Sequence, residues 1–188
     1  MTRQELVSEL EQVNHSKARR EHYSQLFISN PQNIPLLLDI AFDPEIKNSF
    51  KAFWVLEFMC GTDLNLLTPH LDLFTSHLHE VSHDSAKRPM AKICEMIAIN
   101  YYKQSEQLIQ QQLKPIHRER IIEACFDWMI SDEKVAVKAY AMNALYHFGT
   151  EYVWIRQELQ MLLEKDFTSQ SPAFKARARH ILKGLTGQ

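Results

Sequence analysis

The stretch DEKVAVKAYAMNALYHFG, residues 132 to 149, carries the pattern that decides the fold of this chain. Its apolar residues recur at spacings of three and four, as one buried face of an α-helix requires. Asp132 stands before the run, where a helix N-cap is expected, and Gly149 follows it, where a left-handed C-terminal residue is common. The same periodicity continues through the rest of the chain. The sequence therefore predicts an all-α protein.

The predicted helices are separated by short connections, because only 4 glycines and 7 prolines interrupt the 188 residues. Ser171 and Pro172 mark one helix start, since a serine oxygen can cap a helix whose first residue is proline. About ten helices are predicted, at residues 2–14, 17–29, 34–42, 46–60, 69–81, 85–103, 116–130, 133–148, 152–166 and 172–185. This arrangement favours stacked antiparallel hairpins in a single domain, residues 1–188.

A weak internal repeat links the second helices of these hairpins. Each copy begins with a basic residue followed by a small one, and the residues three, six and ten positions later are mostly apolar; the clear copies start at Lys51, Arg88, Lys138 and Lys175. A degenerate first copy of the repeat starts at Lys17. Successive starts are 34, 37, 50 and 37 residues apart, as in repeats built from a pair of helices. The longest interval contains residues 103–114, which we expect to extend a helix or to link two repeats.

Asp132, Val137 and Lys138 carry a resemblance to HEAT repeats of the armadillo type. That family places an Asp at the turn between the two helices, with a branched apolar residue five positions later and a basic residue six positions later, as here. The resemblance implies a right-handed α-solenoid of four to five antiparallel hairpins, in which the second helices line a concave face. It also implies a protein that binds other proteins.

The composition narrows the classes of function. The formal net charge is -2 and the pI is about 6.5, so no global positive charge attracts nucleic acid or an anionic membrane. The sequence contains neither a membrane span nor a signal-peptide core, and we expect a cytoplasmic protein. Cys60, Cys94 and Cys125 lie in apolar helical patterns and are expected to be reduced core residues. The sequence has no glycine-rich phosphate loop, and no cofactor is predicted.

The repeat starts are the candidate binding residues. On a concave face of second helices they would form a row of cations at steps of roughly 10 Å, the usual separation of packed helices. We call this row the basic ridge and include two residues one turn further on: Lys51, Arg88, Lys92, Lys138, Lys175 and Arg179. Two roles stay open for it. The cations either line an exposed groove for a partner or form an internal ladder between neighbouring repeats.

Nucleic-acid binding is the alternative function. The chain resembles HEAT-like alkylpurine DNA glycosylases, which hold DNA in a basic concave groove with aromatic side chains and a carboxylate. The residues that would serve in these roles are Trp54, Trp128, Trp154 and Asp127. Aromatic residues at helical spacing more often pack in the core, so the sequence favours a protein partner.

A third function is suggested by HLHEVSHDS, residues 77 to 85, which contains the zinc-peptidase signature HExxH in His79, Glu80 and His83. In zinc peptidases the two histidines stand one helical turn apart and ligate the metal, and a third protein ligand completes the site. Asp84 follows the motif and is expected to cap the next helix.

The surroundings of this motif favour a solvated histidine pair. The apolar stripe of helix 69–81 faces the core, which leaves His79 on the solvent side and His83 at or beyond the helix end. Glu95 and Glu106 are the candidates for a third ligand. A metal-dependent hydrolase is therefore the least favoured function, and the sequence predicts a non-catalytic protein.

Overall fold

The computed structural model describes residues 1–104, 107–168 and 170–186. Within these ranges the chain forms eleven α-helices and no β-strand. The helices are α1 (Arg3–Glu11), α2 (Lys17–Ser29), α3 (Ile34–Ala41), α4 (Phe50–Thr62), α5 (Leu71–Ser76), α6 (Asp84–Ile99), α7 (Gln107–Gln112), α8 (Pro115–Ile130), α9 (Val135–Phe148), α10 (Val153–Asp166) and α11 (Pro172–Thr186). Short 3₁₀ helices span Pro31–Asn33, Leu64–His70 and Leu78–Glu80, and a π-helical turn spans Asn100–Gln104. The all-α prediction is confirmed.

Of the predicted helix caps, the N-cap at Asp132 and the left-handed backbone at Gly149 are wrong, and the N-cap at Ser171 is confirmed. Asp132 does not cap α9, because the chain stays non-helical until Val135 and Lys134 occupies the N-cap position. Gly149 has a right-handed backbone with φ of -60°. A Cβ there would lie 2.7 Å from the Cγ of Arg156, so this glycine permits close approach rather than a positive φ. Ser171 caps α11 as predicted, since its Oγ accepts a hydrogen bond from the N–H of Phe174.

The helices pack in two layers. Helices α2, α4, α6, α9 and α11 lie side by side in that order and form the second-helix layer. The first helices α3, α8 and α10 pack against it, with α1 against α3 and α5 against α8. In chain order each first helix precedes its second helix, and stacked hairpins of this kind form an α-solenoid. The π-helical turn extends α6, and α7 follows it, which accounts for the 50-residue interval in the repeat.

Small side chains allow the second helices to approach closely. The predicted repeat positions are fully buried between α6 and α9: Ala91, Cys94, Ala98, Ala141, Ala144 and Phe148. All three thiols are free and buried, and burial raises the pKa of Cys60, so it stays protonated at neutral pH. The cysteines are core residues, as predicted. No helix of the described residues has both the length and the apolarity to cross a membrane.

Pro89 interrupts the backbone hydrogen bonds of α6, and the Trp54 side chain of α4 supplies the missing donor. Pro89 has no N–H, so the carbonyl of Ser85 lacks its helical donor four residues later. The indole Nε1 of Trp54 donates to this carbonyl oxygen at 2.8 Å. A carbonyl left free by a proline thus becomes the attachment point between two neighbouring second helices.

We expect Trp54→Phe to lower the free energy of unfolding by about 1–2 kcal/mol, because the Ser85 carbonyl loses its donor. In a Pro89→Ala background the restored backbone N–H can bond to that carbonyl, and Trp54→Phe should then cost less than half as much. Urea unfolding of the four proteins measures the coupling. Equal costs in the two backgrounds would contradict this account of Trp54.

Candidate functional site

Two lysines of the basic ridge donate hydrogen bonds to backbone carbonyls at or just beyond the end of a first helix. Lys51 Nζ donates to the carbonyl oxygen of Glu11, the last residue of α1, at 2.8 Å. Lys175 Nζ donates to the carbonyl oxygen of Thr168, just beyond α10, at 3.0 Å. Cations are favourable beside the carbonyl end of a helix. Lys51 therefore fastens α4 to α1, the first helix of the preceding hairpin, and Lys175 fastens α11 to the turn that follows α10.

Arg88 and Lys92, in the middle of the ridge, each bind a carboxylate. Arg88 Nη1 lies 2.9 Å from Glu57 Oε2 of α4, and Lys92 Nζ lies 2.6 Å from Glu95 Oε2. Both cations also lie over the Tyr140 ring of α9, 5.9 and 4.7 Å from its centroid. Burial alone would lower the pKa of Arg88, but Glu57 and Tyr140 together outweigh it and the pKa is raised. Arg88 therefore connects α4 to α9.

Glu95 extends this network to the next repeat. Its side chain is buried, and its Oε1 accepts a hydrogen bond from Asn143 Nδ2 of α9 at 2.7 Å. The repeat alignment contained one indication of the Arg88 partner. Six positions after the repeat start the first copy has the charged Glu57, whereas the other copies have Cys94, Ala144 and Ile181. Nothing in the pattern indicated Glu95. We call the set the ladder network: Glu57, Arg88, Lys92, Glu95, Tyr140 and Asn143.

The two remaining ridge cations have different surroundings. Lys138 is 8% exposed, and its side chain makes no hydrogen bond or ion pair among residues 1–104, 107–168 and 170–186. Arg179 lies over the Phe167 ring at 5.3 Å. The basic ridge is thus not a uniform stripe of free cations. Its central pair remains partly accessible, with 42% of the Arg88 side chain and 32% of the Lys92 side chain exposed.

A groove lies beside this pair. One cavity of about 280 Å³ opens between α2, α4 and α6, and a second of about 400 Å³ continues past the end of α4 towards α7. They share Gly61, Thr62 and Met96, and we call them together the α4 groove. The first is also lined by Glu21, Glu57, Phe58 and Lys92; the second by Cys60, Asp63, Leu64, Asn65, Ile99, Asn100 and Ile109.

The HExxH residues do not share a helix. His79 and Glu80 lie in the 3₁₀ turn Leu78–Glu80, and the backbone is extended after it. His83 is the N-cap of α6, where its Nδ1 accepts from the N–H of Ser85, so the predicted cap at Asp84 is wrong. The His83 ring also stacks on the Phe50 ring at 4.3 Å.

The candidate third ligands do not complete a metal site. Glu95 bonds to Lys92 and Asn143 in the ladder network. Glu106 lies outside the described residues. Within the part of the chain that the structure describes, no three His, Cys, Asp or Glu side chains are grouped to hold a metal ion. A zinc peptidase needs both histidines on one helix, a turn apart. Here His79 lies in a 3₁₀ turn and His83 caps the next helix.

The residues considered for DNA-base recognition are divided between the two layers. Trp54 is bound to Ser85 between α4 and α6, and Trp128 is buried in the core. Trp154 stacks on Phe126 in the first-helix layer, and Asp127 is exposed on α8 of that layer. These side chains do not line one groove.

The stacked hairpins, and an interaction network that runs from one hairpin to the next, define a helical-repeat protein, an α-solenoid. A family model of the HEAT repeat domain matches residues 6–185, and the chain belongs to the HEAT repeat family. The resemblance of the sequence to HEAT repeats is confirmed. Comparison with curated proteins and with solved structures gave no match.

Proposed function

We propose that this chain is a non-catalytic interaction module that binds a protein partner on the second-helix face, which we take to be concave. HEAT repeats generally mediate protein interactions, and family membership supports this class of function. The observation that carries the proposal is the α4 groove, which is lined by the partly exposed Lys92 and by Glu57, the carboxylate that binds Arg88. With three buried free thiols, the proposed compartment is the cytoplasm.

The charges around the groove favour a protein partner over nucleic acid. Glu57 and Glu95 compensate Arg88 and Lys92, so a phosphate would have to compete with carboxylates already in place. Glu21 adds a further negative charge at the groove. A mixed surface with fixed donors and acceptors suits a polar peptide segment with both signs of charge.

Gly61 provides a way to close the groove without disturbing the fold. It lies in α4, and a Cβ at this position would meet nothing within 4 Å. We expect Gly61→Trp to fill the groove and to reduce partner binding at least about tenfold. Gly61→Ala is the matched control: it leaves the groove open and raises the free energy of unfolding by about 0.5 kcal/mol, because glycine costs helix stability.

The measurement is quantitative mass spectrometry of proteins retained from a lysate of the source cells by the wild-type chain and both variants. A partner at the groove is retained by the wild type and Gly61→Ala but lost with Gly61→Trp, and Arg88→Glu should also release it. If no retained protein shows this difference, the groove is not the binding site. Retention that nuclease treatment abolishes would favour nucleic acid instead.

A further inference from the structure

Exposed apolar side chains form a patch on the first-helix layer. We propose that this patch is a second binding surface, and that its occupant is a basic amphipathic segment of a partner protein. The patch is built by α8 and α10, and we call it the α8–α10 patch. Its apolar members are Phe126, Ile130, Trp154 and Met161.

The apolar members of the patch are unusually accessible for their size. Ile130 is 66% exposed, Trp154 52% and Met161 55%. The Trp154 ring stacks on Phe126 with 5.7 Å between ring centroids and 23° between ring planes, which joins the two helices into one surface. Ile130 follows Phe126 by four residues and Met161 follows Trp154 by seven, so each pair lies on one helix face. An exposed tryptophan within an apolar patch is typical of binding surfaces.

Carboxylates border these apolar side chains. Glu119, Glu123 and Asp127 follow each other at intervals of four along the exposed face of α8, and Glu158 lies one turn after Trp154 on α10. In the described part of the chain none of the four has a hydrogen bond or an ion pair through its side chain. Like charges four residues apart on a helix repel each other by a few tenths of a kcal/mol per pair. The free protein therefore has uncompensated negative charge on this surface.

The second-helix layer provides a contrast. There Glu57 and Glu95 each bind a cation of the same chain, at 2.9 and 2.6 Å, so these two carboxylates are neutralised within the protein. On the α8–α10 patch the missing cations must come from outside. Lys and Arg side chains flanking an apolar stripe would supply them, while the stripe would cover Trp154 and Ile130.

The dimensions of the patch fit a short helical segment. Glu119 to Ile130 covers 11 residue steps of α8, which is about 16 Å at 1.5 Å per residue. A partner segment of about three turns matches this length. Lys165 lies one turn beyond Met161 and is exposed, so a positive charge follows Glu158 and Met161 on this face of α10. The patch and the α4 groove share no residue, so each surface can be tested without the other.

The test uses a fluorescein-labelled synthetic helical peptide with leucines on one face and lysines on the other. The control peptide has glutamate in place of lysine. Fluorescence anisotropy should show binding of the lysine peptide, weaker at high salt because exposed charges are screened. The double variant Glu123→Lys/Asp127→Lys and the single variant Trp154→Ala should each weaken binding at least about tenfold. Glu45→Lys, an exposed charge reversal between α3 and α4, should leave affinity within about twofold.

Four results would overturn the proposal: no binding of the lysine peptide, equal binding of the glutamate peptide, unchanged affinity in both patch variants, or loss of binding in Gly61→Trp. The last of these would place the peptide in the α4 groove. Sedimentation velocity of the chain alone tests a second copy as occupant. A dimer that Glu123→Lys/Asp127→Lys dissociates would mean that the patch binds another copy of this chain, and the basic partner segment would be wrong.

Discussion

Lys92→Met is expected to lower the free energy of unfolding by about 3 kcal/mol at neutral pH, because removing the partly exposed lysine leaves the buried Glu95 carboxylate without its cation. The Glu95 side chain is only 4% exposed, and its carboxylate bonds to Lys92 and Asn143. Without Lys92 the negative charge would rest on the Asn143 amide alone. The methionine preserves most of the volume of the lysine stem, so the cost reports the charge rather than a cavity.

The double variant Lys92→Met/Glu95→Gln tests this explanation. Glutamine keeps the shape of Glu95 and its acceptor for Asn143 but removes the charge, so the double variant should recover most of the loss. Urea unfolding of the wild type, the two single variants and the double variant gives the coupling energy. If the two substitutions are additive, the charge of Glu95 does not depend on Lys92, and the ladder network stabilises the stack in another way.

The second large effect is a loss of stability in mild acid, caused by His147 of α9. Its side chain is buried, and burial, assisted by the charge of Lys103, lowers the pKa of His147 to about 4, although Glu95 opposes this change. An unfolded chain binds a proton at this residue near pH 6.5, while the folded protein does not until about pH 4. Stability from this residue is therefore complete above pH 6.5 and falls as the pH drops towards 4, by about 3 kcal/mol.

Urea unfolding at pH 7.5 and pH 4.5 measures this loss in the wild type and in His147→Gln. The variant cannot titrate at this position, so its loss of stability between the two pH values should be smaller by about 2–3 kcal/mol, whatever its stability at pH 7.5. His79→Gln removes an exposed histidine and serves as the control. An equal acid loss in His147→Gln and in the wild type would show that other groups cause it.

Both effects arise where α6 packs against α9. Small residues such as Ala91 and Ala144 bring these helices together, and Glu95 and His147 are polar residues enclosed by that contact. Such groups require specific partners or a specific protonation state when water is excluded. The α6–α9 contact therefore combines close packing with sensitivity to charge.

Local patterns in the sequence predicted most of the helices and their pairing into repeats. The predicted helix 69–81 is wrong in extent, because only Leu71–Ser76 is α-helical there, and α7 was not predicted as a separate helix. The helix α2 was predicted at 17–29 and observed at Lys17–Ser29, because an apolar face at a period of 3.6 residues is a property of neighbouring residues along the chain. Helix ends were less predictable. Asp132 has the right residue type for a cap, but capping depends on backbone angles that packing selects.

The sequence placed His83 of the HExxH motif at or beyond the end of the helix that carries His79, but it did not predict what His83 does. His83 caps α6 and stacks on Phe50, a residue 33 positions earlier in the chain. The basic ridge illustrates the same difficulty, because residue type alone does not distinguish a free cation from a paired one. Arg88 meets Glu57 from 31 residues earlier, and Asn143 meets Glu95 from 48 residues earlier.

By itself, the sequence determined the helical class, the hairpin repeat and the small-residue faces on which the helices stack, since each follows from spacings within one or two turns. Only the tertiary structure decided which charges are neutralised and which face outward. Arg88 and Lys92 were placed beside carboxylates, whereas Glu123 and Asp127 were left without cations. The physical reason is that a charge interacts with whatever lies within a few ångströms, and stacking brings together residues that are tens of positions apart.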